Sequence, residues 1–209
     1  RQRKAVLLSQ IDSATRYLPH SYFALGAGEN SVDQEYGFKQ ALLAHGRPSA
    51  YYVDKGPAYT AHSLRAICAQ LDIRLLHTKS KDPEAKGVIE RWHRIWREEV
   101  EDEIPDGPVH LAELVAKHDA WLSVEYHARV HGTTHRVPRE HWLEQVEHLE
   151  PLPAGVSLDE VFLHRARRKV RKDGTVPFAG RRLEVRAELT GQHVELRFDP
   201  VRRDVLPRV

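Results

Sequence analysis

The spacing of the apolar residues changes once along the chain, and this change limits the folds that the sequence can adopt. Across residues 1–150, short apolar runs typical of strands alternate with longer stretches of helical period, which predicts an α/β core. Residues 151–157, PLPAGVS, contain two prolines and no charged side chain, which is typical of a linker. Across residues 158–209, short runs of period two alternate with turn sequences, so we expect a small all-β module of the barrel type.

The core sequence predicts a definite order of elements. Strands are expected at 4–11, 16–25, 49–54 and 73–78, and helices at 32–46, 61–71, 88–104, 109–130 and 138–149. Pro19 falls inside the second expected strand, which predicts an edge strand or a bulge. In the β module, the turn sequences KDG and AGR are expected to close hairpins.

Composition and charge narrow the class of protein. No apolar run approaches membrane-spanning length, so we expect no membrane partner. The lone Cys68 excludes an internal disulfide, and its apolar helical surroundings predict a buried thiol in a cytoplasmic protein. Residues 1–150 hold 19 Lys and Arg against 22 Asp and Glu, a net of −3, whereas residues 151–209 hold 13 against 8, a net of +5. The basic second part favours a polyanionic partner.

Two acidic residues stand out by their positions. Asp54 ends the expected strand SAYYVD, where a carboxylate loses hydration and needs a cation or hydrogen bonds in compensation. Glu90 is expected in the first turn of the helix at 88–104, on one face with Arg94 and Arg97. The apolar stripe of that helix is formed by Ile89, Trp92, Trp96 and Val100.

Asp54 and Glu90 together are suited to bind a divalent metal. Mg²⁺ prefers hard oxygen ligands and keeps waters and phosphate oxygens in its remaining positions. Arg94 and Arg97, with Lys86 in the flanking loop, would then contact the adjoining phosphates. The residues alone leave a simpler alternative open, in which Glu90 and Arg94 form an ordinary surface ion pair and Asp54 caps a turn.

The run RARRKVRK at 165–172 is the most basic stretch of the chain. Strand alternation would place four of its residues on one face and two on the other. The first set is Arg165, Arg167, Lys169 and Arg171, and the second is Arg168 and Lys172. We expect these side chains to contact DNA phosphates, although such a run is also typical of a solvated face.

Histidines at 127, 131 and 135 recur at the spacing of a helical zinc site. Gly132-Thr133-Thr134 interrupts the helix between them, and no cysteine pair accompanies them. We therefore expect structural or DNA-facing histidines rather than zinc ligands.

The segments YYVDKGPAYT and KDPEAKGVIERWHR, with 35 residues between Asp54 and Glu90, resemble the second and third acidic positions of DDE-type transposases and retroviral integrases. DSATRY at 12–17 and YHARVHGTTHRVPREHW also resemble that superfamily, in the same order. The sequence from Ser157 to Pro200 is similar to the β-barrel appended to Mu-type transposases. The resemblance implies an RNase H-like mixed-sheet core flanked by helices, with the barrel after it.

This resemblance also implies an activity. Members cleave DNA strands and join them to target DNA with Mg²⁺ or Mn²⁺, and Asp54 and Glu90 would be catalytic metal ligands. They act as oligomers on double-stranded DNA, near the nucleoid in bacteria, and Mu-like members use an AAA+ ATPase for target choice. Two other functions stay open from the sequence: an RNase H-like nuclease without strand transfer, and a non-catalytic DNA-binding or assembly module.

The sequence departs from the resembled pattern at three places. Lys55 and His127 stand where the superfamily often has Asn. Its first catalytic Asp belongs on a strand before residue 4, so we expect that residue upstream of Arg1 and a chain that is inactive alone. Asp12 is an alternative third ligand, but its position is more typical of a turn residue or of an ion partner for Arg16.

Overall fold

The computed structural model describes residues 2–26, 30–53, 62–77, 83–202 and 205–209, except for the side chains of residues 62 and 83–86. The chain divides into two compact units, Arg1–Ala154 and Gly155–Val209. In the described residues, no helix is both long enough and apolar enough to span a bilayer.

The first unit begins with an antiparallel hairpin. Strand β1, Ala5–Gln10, pairs with β2, His20–Leu25, in a register that places Leu8 opposite Tyr22. The predicted second strand was too long at its start, because residues 16–19 precede β2. Pro19 therefore lies outside the strand, and β2, which pairs only with β1 among the described strands, is an edge strand as predicted. Pro19 lies directly before the strand, where its missing N–H removes no ladder bond.

Helix α1, Ser31–His45, confirms the helix expected at 32–46 and is capped at both ends. Asn30 caps its start, because the Asn30 side chain accepts a hydrogen bond from the Asp33 N–H at 2.9 Å. Gly46 ends it with a φ of 84°, in the region that glycine adopts most readily.

A strand–helix–strand unit follows, as the sequence predicted. It comprises β3 (Ala50–Val53), α2 (His62–Gln70) and β4 (Arg74–His77), and β3 pairs with β4 in parallel. Cys68 on α2 is 1% exposed, which confirms the predicted burial. Burial, with the charge of Glu35 nearby, raises the pKa of this thiol to about 12.

Three further helices complete the first unit. They are α3 (Pro83–Trp96), continued by a π-helical turn at Arg97–Glu101; α4 (Leu111–Trp121), continued by a π-helical turn at Leu122–Tyr126; and α5 (Pro138–Gln145). The expected helix at 109–130 is thus shorter at both ends. The α3 and α4 segments pack together, and their apolar cluster includes Trp92, Val100 and Tyr126, with Leu18 from the segment before β2.

The second unit contains a short helix α6 (Leu158–Val161), strands β5 (His164–Lys169), β6 (Thr175–Phe178), β7 (Arg181–Glu184) and β8 (His193–Phe198), and a 3₁₀ turn at Ala187–Leu189. Strands make up most of the regular structure of this unit. The described strands form two antiparallel pairs, β5 with β8 and β6 with β7, and the closure of a barrel stays a prediction.

The two turn sequences of this unit behave differently. AGR closes the β6–β7 hairpin as expected. KDG also turns the chain, with the Arg171 N–H donating to the Thr175 carbonyl oxygen at 2.8 Å. The strand before it, β5, nevertheless pairs with β8 instead of β6. The apolar cluster of the unit is formed by Val170, Val176, Phe178, Val194 and Leu196.

Candidate active site and DNA-facing surfaces

Glu90 lies on the exposed side of α3, whose opposite side is packed. The predicted apolar stripe is confirmed, since its tryptophans are 1% and 7% exposed and its valine is fully buried. Glu90 is exposed, as are Arg94 and Arg97. Helix packing thus fixes the backbone that carries a solvent-facing carboxylate and two cationic side chains.

The position of Glu90 within its helix differs from the prediction. Because α3 begins at Pro83, Glu90 is the eighth residue of the helix and does not lie in its first turn. The polar stretch before Val88 favoured a loop, but proline is well tolerated at the first helical position, where no N–H is needed. The field of a helix terminus is confined to the end turns, so it gives Glu90 little support.

Asp54 directly follows Val53, the last residue of β3, and lies outside the described residues. In the parallel β3–β4 pair, Val53 is opposite His77. The position of the Asp54 carboxylate, and that of the neighbouring Lys55, is therefore not described. The prediction that Lys86 lies in a flanking loop was wrong, because its backbone belongs to α3, while its side chain is outside the described residues.

Asp12 has the turn role that its sequence context favoured. Its Oδ2 accepts hydrogen bonds from the Ala14 N–H at 3.1 Å, the Thr15 N–H at 2.7 Å and the Thr15 hydroxyl at 2.7 Å. Three donors on one carboxylate oxygen hold the turn between β1 and β2. This oxygen is thus already engaged in local structure.

His127 is a buried structural residue. It is 5% exposed, its Nε2 accepts a hydrogen bond from the Leu18 N–H at 3.1 Å, and its ring stacks on Tyr17 with centroids 4.2 Å apart. Burial lowers its pKa to about 4, and the nearby charges of Arg139 and His118 act in the same direction. His127 is therefore neutral at physiological pH.

His131 and His135 have different surroundings from His127. His131 is half-buried, and its Nδ1 accepts a hydrogen bond from the Thr133 N–H at 3.2 Å. His135 is exposed and has a φ of 53°, so it continues no helix. In the part of the chain that the structure describes, no three His, Cys, Asp or Glu side chains are grouped as a metal site would require.

The basic side chains of β5 in the second unit are exposed, and within this strand they alternate between its two faces as predicted. Arg165, Arg167 and Lys169 lie on one face of β5, opposite Arg197, Glu195 and His193 of β8. Arg168 lies on the other face, opposite Val194. Arg171 and Lys172 follow the end of the strand, so the prediction that alternation extends to them was wrong.

Some of these predicted cations already have acidic neighbours. Arg165 lies 3.5 Å from a Glu195 oxygen, and Arg97 lies 3.6 Å from a Glu101 oxygen. All four of these side chains are about half exposed or more, so each pair contributes little to stability.

One cationic feature was not predicted from the sequence. A cleft of about 250 Å³ lies between Arg91 of α3 and the segment 126–133 that follows α4. Arg91 was overlooked because it adjoins Glu90 outside the apolar stripe. Residues 132–134 were interpreted only as a helix break, and His131 as a structural or DNA-facing histidine. No sequence pattern links these positions, because the contact joins residues 42 apart.

Comparison with known proteins connects the chain to DNA-recombining proteins. A family model described as the TnsB C-terminal domain matches residues 27–106, which is less than half of the chain and includes positions 54 and 90. The transposase for transposon Tn552 of Staphylococcus aureus is 25% identical over 170 residues, which is 74% of this chain and 35% of the relative. The matches span between 6% and 35% of the curated relatives' own lengths.

Solved structures show the fold. The catalytic core domain of BIV integrase is similar with a TM-score of 0.51 at 17% identity, over 70% of this chain and 93% of that one. A simian T-cell lymphotropic virus intasome structure is similar with a TM-score of 0.50 at 19% identity, over 94% of this chain and 66% of that one. The helices and small sheets thus resemble an integrase catalytic core, which shows the fold, whereas the family model and the Tn552 transposase support the transposase and integrase superfamily.

Proposed function

We propose that this chain carries the catalytic core of a DDE-type DNA transposase of the Mu kind, which cleaves DNA strands and joins them to target DNA. One observation carries the proposal most: α3 is packed on one side and presents Glu90 on the other, within a core of integrase fold. The segment matched by the TnsB C-terminal domain supports it, because it includes both Asp54 and Glu90.

The proposed site uses Asp54 and Glu90 as ligands of Mg²⁺ or Mn²⁺. Glu90 fits this role, since it provides hard carboxylate oxygens on a solvent-facing side of its helix. When bound, such ions activate the attacking oxygen and stabilise the leaving oxygen of a phosphodiester. By the resemblance, the third carboxylate would precede Arg1. Asp12 is less suited to that role, because its Oδ2 already accepts three hydrogen bonds.

The residues of this chain would mainly bind and orient DNA. Arg94 and Arg97, with Lys86, would hold phosphates beside the carboxylates, because a guanidinium donates two parallel hydrogen bonds to phosphate oxygens. The buried tryptophan side of α3 would keep these groups fixed while strands exchange. In the second unit, the exposed cations of β5 and of the turn after it would follow the backbone of the duplex and fix its register.

The assembly is part of the same proposal. We expect the protein to act as an oligomer on double-stranded DNA in the bacterial cytoplasm, with an AAA+ ATPase as a candidate partner for target choice. The second unit would correspond to the barrel of Mu-type transposases. Its basic face and its own apolar cluster suit a DNA-contacting module.

The direct experiment measures strand transfer into a target duplex in Mg²⁺, using this chain and the chain extended upstream. Glu90→Gln should lower the rate by at least about 100-fold, because an amide removes a charged metal ligand without changing its size. Glu98→Gln is the matched control, since Glu98 is also exposed and follows on the same helical segment. Unchanged activity of Glu90→Gln would show that the site is assigned wrongly.

The same assay separates the two alternative functions. A donor duplex with a free 3′-hydroxyl gives joined products with a transposase, whereas a nuclease of this fold gives only shortened strands. DNA binding without either product in both chains would instead indicate a non-catalytic assembly module.

A further inference from the structure

The cleft between α3 and segment 126–133 is a cationic site, and neither the sequence nor the comparisons assign a function to it. Its polar lining comes from Arg91, Arg129, His131 and Thr133, and its volume is about 250 Å³. All of these residues belong to the first unit. Glu90 is not among the described residues that line the cleft, so the cleft is separate from the one proposed metal ligand whose side chain is described.

Arg91 is the cation in the cleft that is oriented without being neutralised. Its Nη1 donates to the Thr133 hydroxyl at 2.9 Å, and no carboxylate among the described residues forms an ion pair with it. A guanidinium has five N–H donors, so this neutral anchor leaves most of them for a ligand. A fixed, exposed and unneutralised guanidinium is suited to the bidentate binding of phosphate.

Arg129 is held differently. Its Nη2 lies 2.6 Å from Glu99 Oε1, and the other oxygen of Glu99 accepts a hydrogen bond from Trp121 Nε1 at 3.1 Å. Glu99 is thus fixed and balances the charge of Arg129. Among the described residues that line the cleft, Arg91 therefore leaves a positive charge that no carboxylate balances, and Arg16 adds a further positive charge that acts on His131.

His131 adds a directed donor to the same cleft. Because Nδ1 accepts the Thr133 N–H, the neutral ring carries its proton on Nε2, where it can be donated. Burial lowers the pKa of His131, and Arg16, Arg91 and Arg129 lower it further. The three guanidinium groups thus disfavour the imidazolium form of His131, and an anion bound in the cleft would offset their effect.

We infer that this cleft binds a backbone phosphate of DNA, with the Arg91 guanidinium and the His131 Nε2–H as donors. The inference rests on the proposed function for its choice of polyanion. Arg91 adjoins Glu90 in the sequence of α3, so the helix that presents the carboxylate also leads into the cleft. Inorganic phosphate offers the same chemistry, and the experiment separates it from DNA.

The experiment measures the affinity of the whole chain for a short DNA duplex of arbitrary sequence at several salt concentrations. No divalent metal is present. Arg91→Gln should reduce the slope of log affinity against log salt by about 1, because one phosphate contact is lost. Arg91→Lys should keep the slope, since it keeps the charge. Arg65→Gln, which changes an exposed arginine of α2, is the matched control and should leave the slope unchanged.

Any of three results would overturn the inference. Arg91→Gln could show the salt slope of the parent protein, Arg65→Gln could reduce the slope as much as Arg91→Gln does, or Arg91→Lys could reduce it as well. A fourth result would combine two observations. Inorganic phosphate would bind tightly in a way that depends on Arg91, as detected by NMR of the His131 ring, while Arg91→Gln would leave the salt slope of DNA affinity unchanged. That outcome would make the cleft a free-anion site. The salt slope is measured without metal, whereas the catalytic proposal is tested by strand transfer in Mg²⁺, so failure here is distinct from failure of the catalytic proposal.

Discussion

His127 shows how one side chain can couple folding to pH. Its Nε2 must be unprotonated to accept the hydrogen bond from the Leu18 N–H, and its ring is almost fully buried. The folded protein therefore disfavours the imidazolium form, and the pKa falls from 6.5 to about 4. In the unfolded chain the same ring takes up a proton near its ordinary pKa.

This difference predicts a loss of stability in acid. As the pH falls from 6.5 towards 4, the unfolded chain binds the His127 proton first, so the free energy of unfolding decreases, by roughly 3 kcal/mol for this group. His127→Gln keeps an acceptor near the Nε2 position and does not titrate, so it should flatten this part of the profile. Urea unfolding at several pH values measures the effect.

The control for this prediction is His135→Gln, which removes an exposed histidine and should leave the pH profile unchanged. If His127→Gln shows the parental slope between pH 6.5 and 4, the acid sensitivity comes from other buried histidines.

At the scale of elements, the end of α1 depends on Gly46. Its φ of 84° and ψ of −166° lie in a region that is essentially reserved for glycine. A Cβ there would also lie 2.7 Å from the Glu150 carbonyl oxygen. That carbonyl accepts the Arg47 N–H at 2.8 Å, so the close approach belongs to a backbone bridge that fastens α1 to the segment after α5.

Gly46→Ala should therefore lower the free energy of unfolding by more than about 2 kcal/mol, because backbone strain and a backbone clash add. Gly107→Ala is the matched control in the same unit. Gly107 has a φ of 123° and open space around its Cβ position, so only strain applies. Thermal unfolding compares the two variants, and equal losses would show that the Glu150 contact adds nothing.

Elements whose apolar residues recur with a strong period could be predicted from the sequence, but the residues at which these elements begin and end could be predicted less well. The stripe of α3 followed from the spacing of its two tryptophans and Val100, and the core cluster confirms it. The start of α3 was missed, because a proline and charged residues after a polar stretch favour a loop over a first helical turn. The pairing of β5 with β8 was missed as well, because local turn chemistry does not specify long-range partners.

The candidate site was predictable only in part. The exposed position of Glu90 followed from helical period, whereas its metal role, and that of Asp54, rests on resemblance and stays a prediction. The role of His127 depends on a backbone group 109 residues away, and the Arg91–Thr133 contact spans 42 residues. Such contacts follow from tertiary packing, which no local pattern encodes.

At the scale of the whole molecule, each unit has an apolar cluster of its own. The first unit has the cluster around Trp92 and Tyr126, and the second has the one around Val176 and Leu196. All four tryptophans of the chain lie within Arg1–Ala154. Tryptophan fluorescence therefore reports the unfolding of the first unit alone.

A substitution in the second cluster tests whether the two units unfold separately. Leu196 is fully buried, so Leu196→Ala should destabilise the second unit by about 2–5 kcal/mol, comparable to the total stability of so small a unit. Since a unit with its own core can fold alone, the fluorescence-detected transition should keep its midpoint while circular dichroism shows an earlier loss of strand signal. Val100 is fully buried in the first cluster, so Val100→Ala should instead lower the midpoint of the fluorescence-detected transition. A fluorescence midpoint that falls with Leu196→Ala would mean that the two clusters unfold as one cooperative unit.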